Sequence, residues 1–119
     1  MALDLYATYR GLQVISGVLE SRPRNVGNGG RFSAETSRRA EARNRASNNG
    51  SFKCEDCGED FDKDPAKKRK DHEKPFSKGG GNDVDNLKYR CESCNAQKAD
   101  HDPSVWEQIK QAAGIGKPD

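Results

Sequence analysis

Apolar material is scarce in this sequence. Only 31% of the 119 residues are hydrophobic, 34% are charged, and the mean hydropathy is −1.11. A chain of this length makes one domain. With so little to bury, such a domain often needs a disulfide or a metal as a staple. No apolar run approaches the roughly 18 residues of a membrane helix, so no membrane partner is expected. The opening MALDLYATYR lacks the basic region and apolar stretch of a secretory signal. A reducing, cytoplasmic setting is the expectation, and there paired cysteines bind metal more often than they form disulfides.

Lysine is absent from residues 1–50. That half holds eight arginines against four acidic residues, a net +4. Residues 51–119 carry eleven lysines and two arginines against fifteen acidic residues, a net −2. An Arg-rich arm beside a more acidic half suits a polyanionic partner, although a solvated polar face would look the same by charge alone. The expected division is an Arg-rich helical N-terminal arm over 1–50 and a second unit over 51–119 containing the cysteines and a closing helix.

Apolar residues at Leu5, Tyr9, Leu12 and Leu19 follow helical spacing over residues 4–19. Pro23 and the glycines that follow make 21–32 a loop. Ser33 is a suitable N-cap for a helix through AETSRRAEARNRAS, ended by Asn48-Asn49-Gly50. This helix presents Arg38, Arg39, Arg43 and Arg45 and has little to bury, so it reads as a segment that orders on a partner. Asp102-Pro103 opens a last helix with Val105 and Ile109 on its apolar side and Trp106 beside it; Gly114 stops it.

Cys54-Glu-Asp-Cys57 and Cys91-Glu-Ser-Cys94 are two C-x-x-C knuckles. A two-residue spacer lets both thiolates of a tight turn reach one tetrahedral ion, and two knuckles complete a four-cysteine structural Zn²⁺ site. A redox role is disfavoured because the pairs match and no βαβ pattern surrounds either. The 33 residues between Cys57 and Cys91 exceed the roughly 15–20 of a simple zinc ribbon, so something further is built there.

That insertion contains the parts of a hydrolytic metal site. Asp71 is a hard oxygen ligand suited to a divalent cation. His72 can act as a general base near neutral pH. Neighbours on a strand point to opposite faces, so a ligand and a base that both meet the substrate imply a bulge or strand end at 71–72. Gly79-Gly80-Gly81 permits close backbone approach. Asn82-Asp83 and Asp85-Asn86 read as turn and capping residues.

The string D-H-x-x-P-x-S-K-G-G-G-N-D-x-x-N-L, followed by C-x-x-C-N-x-x-K, closely resembles the HNH endonuclease family, in the branch with a four-cysteine zinc site. The likeness covers Cys54 to Lys98. It implies a small α+β fold in which a ββα-metal motif is stapled by zinc and flanked by helices. It also implies a metal-dependent DNA endonuclease that leaves 5′-phosphate and 3′-hydroxyl ends. By position, Asp71 and Asn95 would hold one catalytic divalent ion, His72 would activate water, and Asn86 would order the loop that aims His72. Asn95 stands where many members have His, making this an H-N-N variant and favouring Mg²⁺ or Mn²⁺ over a catalytic zinc.

Lys67-Lys68-Arg69-Lys70 departs from the apolar approach usual in the family. Lys68, Arg69 and Lys70, with Lys78, Lys98 and the helix residues Arg38, Arg39, Arg43 and Arg45, are candidate phosphate contacts. Phe76 is expected to pack under the loop. The alternative reading is a non-catalytic, zinc-stabilised DNA-binding or accessory protein that docks a protein partner through its N-terminal arm. A phage, mobile-element or restriction setting in a bacterial or phage-infected cell suits a protein of this kind.

Overall fold

A computed structural model describes residues 30–118. The helix expected over residues 4–19 lies outside them. The described elements are helix α1 (Ala34–Ser47), strand β1 (Lys68–His72), strand β2 (Leu87–Cys91), helix α2 (Glu92–Lys98) and helix α3 (Pro103–Ala113), with short 3₁₀ turns between them. This is the small α+β arrangement expected from the sequence. β1 and β2 pair antiparallel, with Lys68 opposite Cys91 and His72 opposite Leu87.

α1 begins where Ser33 caps it, the hydroxyl accepting from the Thr36 N–H. It ends at Asn48, after which Asn49 and Gly50 take positive φ of 56° and 94°. The packing does not stop at residue 50. Ala40 of α1 is buried in the core with Leu87 and Tyr89 of β2, and the Tyr89 hydroxyl donates to the Ser37 carbonyl.

Nor does α1 lack things to bury. Asn44 is 2% exposed, donates to the Lys53 carbonyl and Glu55, and accepts the Lys53 N–H. The helix is held by polar side chains more than by an apolar stripe, a pattern that hydrophobic periodicity cannot register.

The core is small and is built largely from aromatic side chains and cysteines. Phe52 meets Phe61 and Tyr89 edge-on, at ring-centroid distances of 5.3 and 4.8 Å. A single bridge, Lys53 to Asp60, closes the turn carrying the first knuckle, and the Glu55 N–H ties that turn to the Tyr89 carbonyl. α3 starts and stops as expected, with Gly114 at φ 71°. Its inward face differs from the expected one: Trp106 is buried and Val105 is 38% exposed. The Trp106 indole N–H donates to Asp56 of the first knuckle, and this polar anchor sets the rotation of the helix. Asp102 makes no side-chain capping bond.

Asn44→Ala is expected to destabilise the domain by about 1–3 kcal/mol, because it leaves the Lys53 backbone groups without partners. Urea denaturation followed by Trp106 fluorescence measures this; a midpoint equal to wild type would refute the role given to Asn44.

Candidate metal centre and the His72 site

The two knuckles converge. The four Sγ atoms of Cys54, Cys57, Cys91 and Cys94 all lie within 4.8 Å of one another, and Cys57 Sγ is 3.6 Å from Cys91 Sγ. Zn–S bonds of about 2.3 Å in a tetrahedron place sulfurs about 3.8 Å apart, so the set fits zinc. Backbone N–H groups of Asp56 and Cys94 point at Cys54 and Cys91 sulfurs, as they do around a thiolate-bound ion. Without a cation, burial and the neighbouring sulfurs push the Cys57 thiol up to about 11 and raise that of Cys94. Burial opposes ionisation of Cys91 too, but the Cys94 N–H and the adjoining thiols bring its pKa below the ordinary value. A dication would relieve the repulsion among four thiolates packed this closely.

Asp56, between the first two cysteines, is the hub of a buried polar cluster. It accepts from Arg90 Nε at 2.6 Å, Lys110 Nζ at 2.9 Å and Trp106 Nε1 at 3.1 Å. Burial alone would raise its pKa, but Arg90 and Lys110 outweigh that and hold it below the ordinary carboxylate value. Arg90, itself 3% exposed, also reaches Asp71 Oδ2 at 2.9 Å and Glu73 Oε1 at 2.6 Å. The guanidinium thus joins the first knuckle to the end of β1. Neither Arg90 nor Asp56 stood out in the sequence. The only local signal is an arginine in a strand whose Leu87, Tyr89 and Cys91 are apolar.

Asp71 and His72 sit at the end of β1 with no bulge in the register. Their side chains have different company. Asp71 faces Arg90 and Lys98, whose Nζ is 3.2 Å from the same Oδ2. His72 faces Phe32, Phe76 and Asn82. Strand alternation accounts for the divergence. Lys98 touches both residues, since its Nζ also donates to the His72 carbonyl. It is fully buried, which corrects its expected place on phosphate.

The His72 ring is held from several directions. Its Nε2 lies 2.7 Å from Oδ1 of Asn82, a fully buried residue. Phe32 stacks on it with centroids 4.3 Å apart and planes at 28°. Phe76 is tilted against it at 5.6 Å, rather than simply lying under the loop. A cavity of about 350 Å³, bordered by Gly30, Arg31, Phe32, Lys70 and His72, opens beside the ring. In the sequence Phe32 and Asn82 look only like loop and turn residues, because the side chain they touch is remote from them along the chain.

Asn86 fixes the loop over this site. Its side chain accepts the Lys74 N–H and donates to the carbonyls of Lys74 and Gly81. Gly80 is required by the same closure: a Cβ there would fall on the Lys74 carbonyl oxygen. Asn95 lies half-buried on α2, the helix that follows β2.

The basic residues divide into two groups. Lys70 and Lys78 on the insertion and Arg38 and Arg39 on α1 are exposed. Lys68 lies over the Phe52 ring at 5.3 Å. Arg69 bonds the Ala66 and Lys68 carbonyls and pairs with Glu92. Arg43 and Arg45, expected on a nucleic acid, also bond within the fold. Arg43 donates to the carbonyls of Val84 and Leu87. Arg45 engages Glu41, Asp62 and the Gly50 carbonyl. Bonding to nearby acceptors competes with phosphate for both.

Compared with known proteins, residues 54–101 match the model of a family described as HNH endonuclease. No curated protein and no solved structure matches the chain. The matched span contains all four cysteines, Asp71, His72, Asn86 and Asn95, and ends before α3.

Purified protein is expected to contain one zinc per chain by elemental analysis. A strong chelator should unfold it, seen as loss of the near-ultraviolet signal of Trp106; retention of the native signal in metal-free protein would refute a folding role for zinc. Acid sensitivity follows from Asp56. Its depressed folded-state pKa gives stability that is present above the unfolded carboxylate pKa and is lost as pH falls through the folded value. Asp56→Asn should flatten that part of the stability–pH curve; an unchanged slope would show that other groups dominate.

Proposed function

We propose that this protein hydrolyses phosphodiester bonds in DNA, with His72 as the general base; the match of residues 54–101 to the HNH endonuclease family supports nuclease-type activity and nucleic-acid binding. The observation that carries the reading is the His72 ring itself. It stands at a strand end beside an open cavity, with Nε2 tied to Asn82. An amide oxygen can only accept, so in the neutral ring Nε2 bears the hydrogen and Nδ1 keeps its lone pair. Nδ1 is then the atom that takes a proton from water as the water attacks phosphorus.

Asp71 and Asn95 are the residues that would hold a divalent cation, Mg²⁺ or Mn²⁺. Such an ion, when bound, supplies charge neutralisation at the phosphate and the departing oxygen. The donor set fits a hard cation, being one carboxylate and one amide oxygen. Both ion pairs of Asp71 engage Oδ2, and they hold the carboxylate in one orientation. Asn86 contributes through the loop geometry. Exposed Lys70, Lys78, Arg38 and Arg39 are the phosphate contacts that remain, with Lys68 and Arg69 beside them on β1. The four-cysteine zinc supports the loops and takes no part in the chemistry.

One observation favours a second reading. Arg90 and Lys98 already neutralise Asp71, as they would in a domain that keeps the scaffold to bind DNA without cutting it. Supercoiled-plasmid cleavage with Mg²⁺, Mn²⁺ and EDTA separates the two. His72→Ala should reduce nicking by about 10²-fold or more, the scale of a lost general base, with fold and zinc content unchanged. Cleavage by that variant at the wild-type rate would remove His72 from the mechanism, and a metal-independent absence of cleavage by wild type would favour the binding module.

A further inference from the structure

The reading of His72 as the base assigns no function to two of the residues that touch it. Phe32 comes from the segment leading into α1 and lies outside the matched span of 54–101. Asn82 lies inside that span but in the loop between the glycines and the 3₁₀ turn Val84–Asn86. They restrain different motions of the same ring. An imidazole at a strand end can rotate about χ1 and χ2 and can carry its hydrogen on either nitrogen. Phe32 stacks on its face at 4.3 Å, which limits χ1 and χ2. Asn82 accepts at Nε2 at 2.7 Å, which selects among ring flips and tautomers.

Each restraint is itself anchored. Phe32 immediately precedes Ser33, the residue that caps α1, and α1 is fixed by Asn44, by Arg43 and by the Ala40 packing. Gly30, two residues earlier, lies against the Phe76 ring: a Cβ there would meet it at 3.6 Å. The approach to α1 therefore supplies one of the two aromatic rings that flank His72 and lies against the other. Asn82 is fully buried, and it follows the loop that Asn86 secures through the Gly81 carbonyl. A ring left with one hydrogen-bonded edge and one covered face has its remaining edge to present, and a cavity that His72 lines with Lys70 and Arg31 lies beside it.

We infer that Phe32 and Asn82 are positioning residues for His72: Phe32 fixes the plane of the ring, and Asn82 fixes the Nε2–H tautomer so that Nδ1 is the nitrogen that works. The inference rests on the general-base reading of His72. It makes the segment before α1 part of the site and gives the first half of the chain a role in cleavage that acts through His72.

Two measurements on the full-length, zinc-loaded chain test it. The first is ¹⁵N NMR of the His72 ring without added Mg²⁺ or Mn²⁺, at a pH where the ring is neutral. Wild type should show the Nε2–H tautomer, and Asn82→Ala should lose that preference. An Nδ1–H tautomer in wild type would mean that the Asn82 amide donates rather than accepts, and would overturn the assignment. The second is steady-state cleavage by Phe32→Ala and Phe32→Tyr. Misplacement of a reacting group by about 1 Å costs on the order of 10²-fold in rate. Phe32→Ala should therefore lose about ten- to a hundredfold in kcat with little change in KM. Phe32→Tyr keeps the stack and should restore kcat. Equal kcat for wild type and Phe32→Ala would overturn the role of Phe32. Should Asn82→Ala fail to fold, the wild-type tautomer and the Phe32 pair decide the matter. His72→Ala in the same assay keeps the two ideas apart: if it cleaves normally the base assignment fails, while the tautomer spectrum still reports whether Asn82 orients the ring.

Discussion

One guanidinium holds the described part of this protein together. Arg90, on the strand between the insertion and the second knuckle, reaches the carboxylates of Asp56, Asp71 and Glu73 at 2.6–2.9 Å. Each partner belongs to a different segment: Asp56 to the first cysteine knuckle, Asp71 to the strand end, Glu73 to the loop beyond it. Burial of so many charges is costly, and their mutual attraction offsets that cost only with good geometry. Trp106 and Lys110 of α3 complete the cluster on Asp56. A domain with little apolar surface to bury has here a polar centre in place of part of its core.

That arrangement relates the metal centre to the proposed chemistry. The cysteines fix the turn that carries Asp56; Asp56 orients Arg90; Arg90 and Lys98 orient Asp71. On the other side of the strand, Asn82 and Phe32 orient His72. Adjacent residues in sequence are thus aimed by two networks that share Lys98, which bonds Asp71 and the His72 carbonyl at once. The four-cysteine cluster is connected to Asp71 through charge and hydrogen bonds, without approaching it directly.

The parts legible in the sequence were those encoded by short spacing. The two C-x-x-C pairs specify four ligands within tight turns, and the structure gathers them. α1 announced itself through Ser33 and Asn48-Asn49-Gly50, and α3 through Pro103 and Gly114, because caps and stops act within one turn of backbone. What periodicity missed was the polar packing. Asn44 and Arg43 look like solvent-facing residues of a polar helix, yet they hold α1 on the domain through backbone carbonyls of distant segments. Trp106 was placed beside the buried face of α3, and its indole N–H bond to Asp56 puts it at the centre of that face.

The sequence by itself determined the inventory: four thiols at metal-binding spacing, an Asp-His pair in a family-specific string, glycines and asparagines for the turn between the strands. Spacing of a few residues decides these, because local backbone geometry fixes which groups can meet. Only the tertiary structure decided who surrounds Asp71 and His72. Arg90 is 19 residues from Asp71, and Phe32 is 40 residues from His72. No local rule connects such positions, since they meet only after the strands pair and α1 docks. The same long-range closure gives Arg43, Arg45 and Lys98 partners within the fold. A cation bonds to whichever acceptors its final position offers.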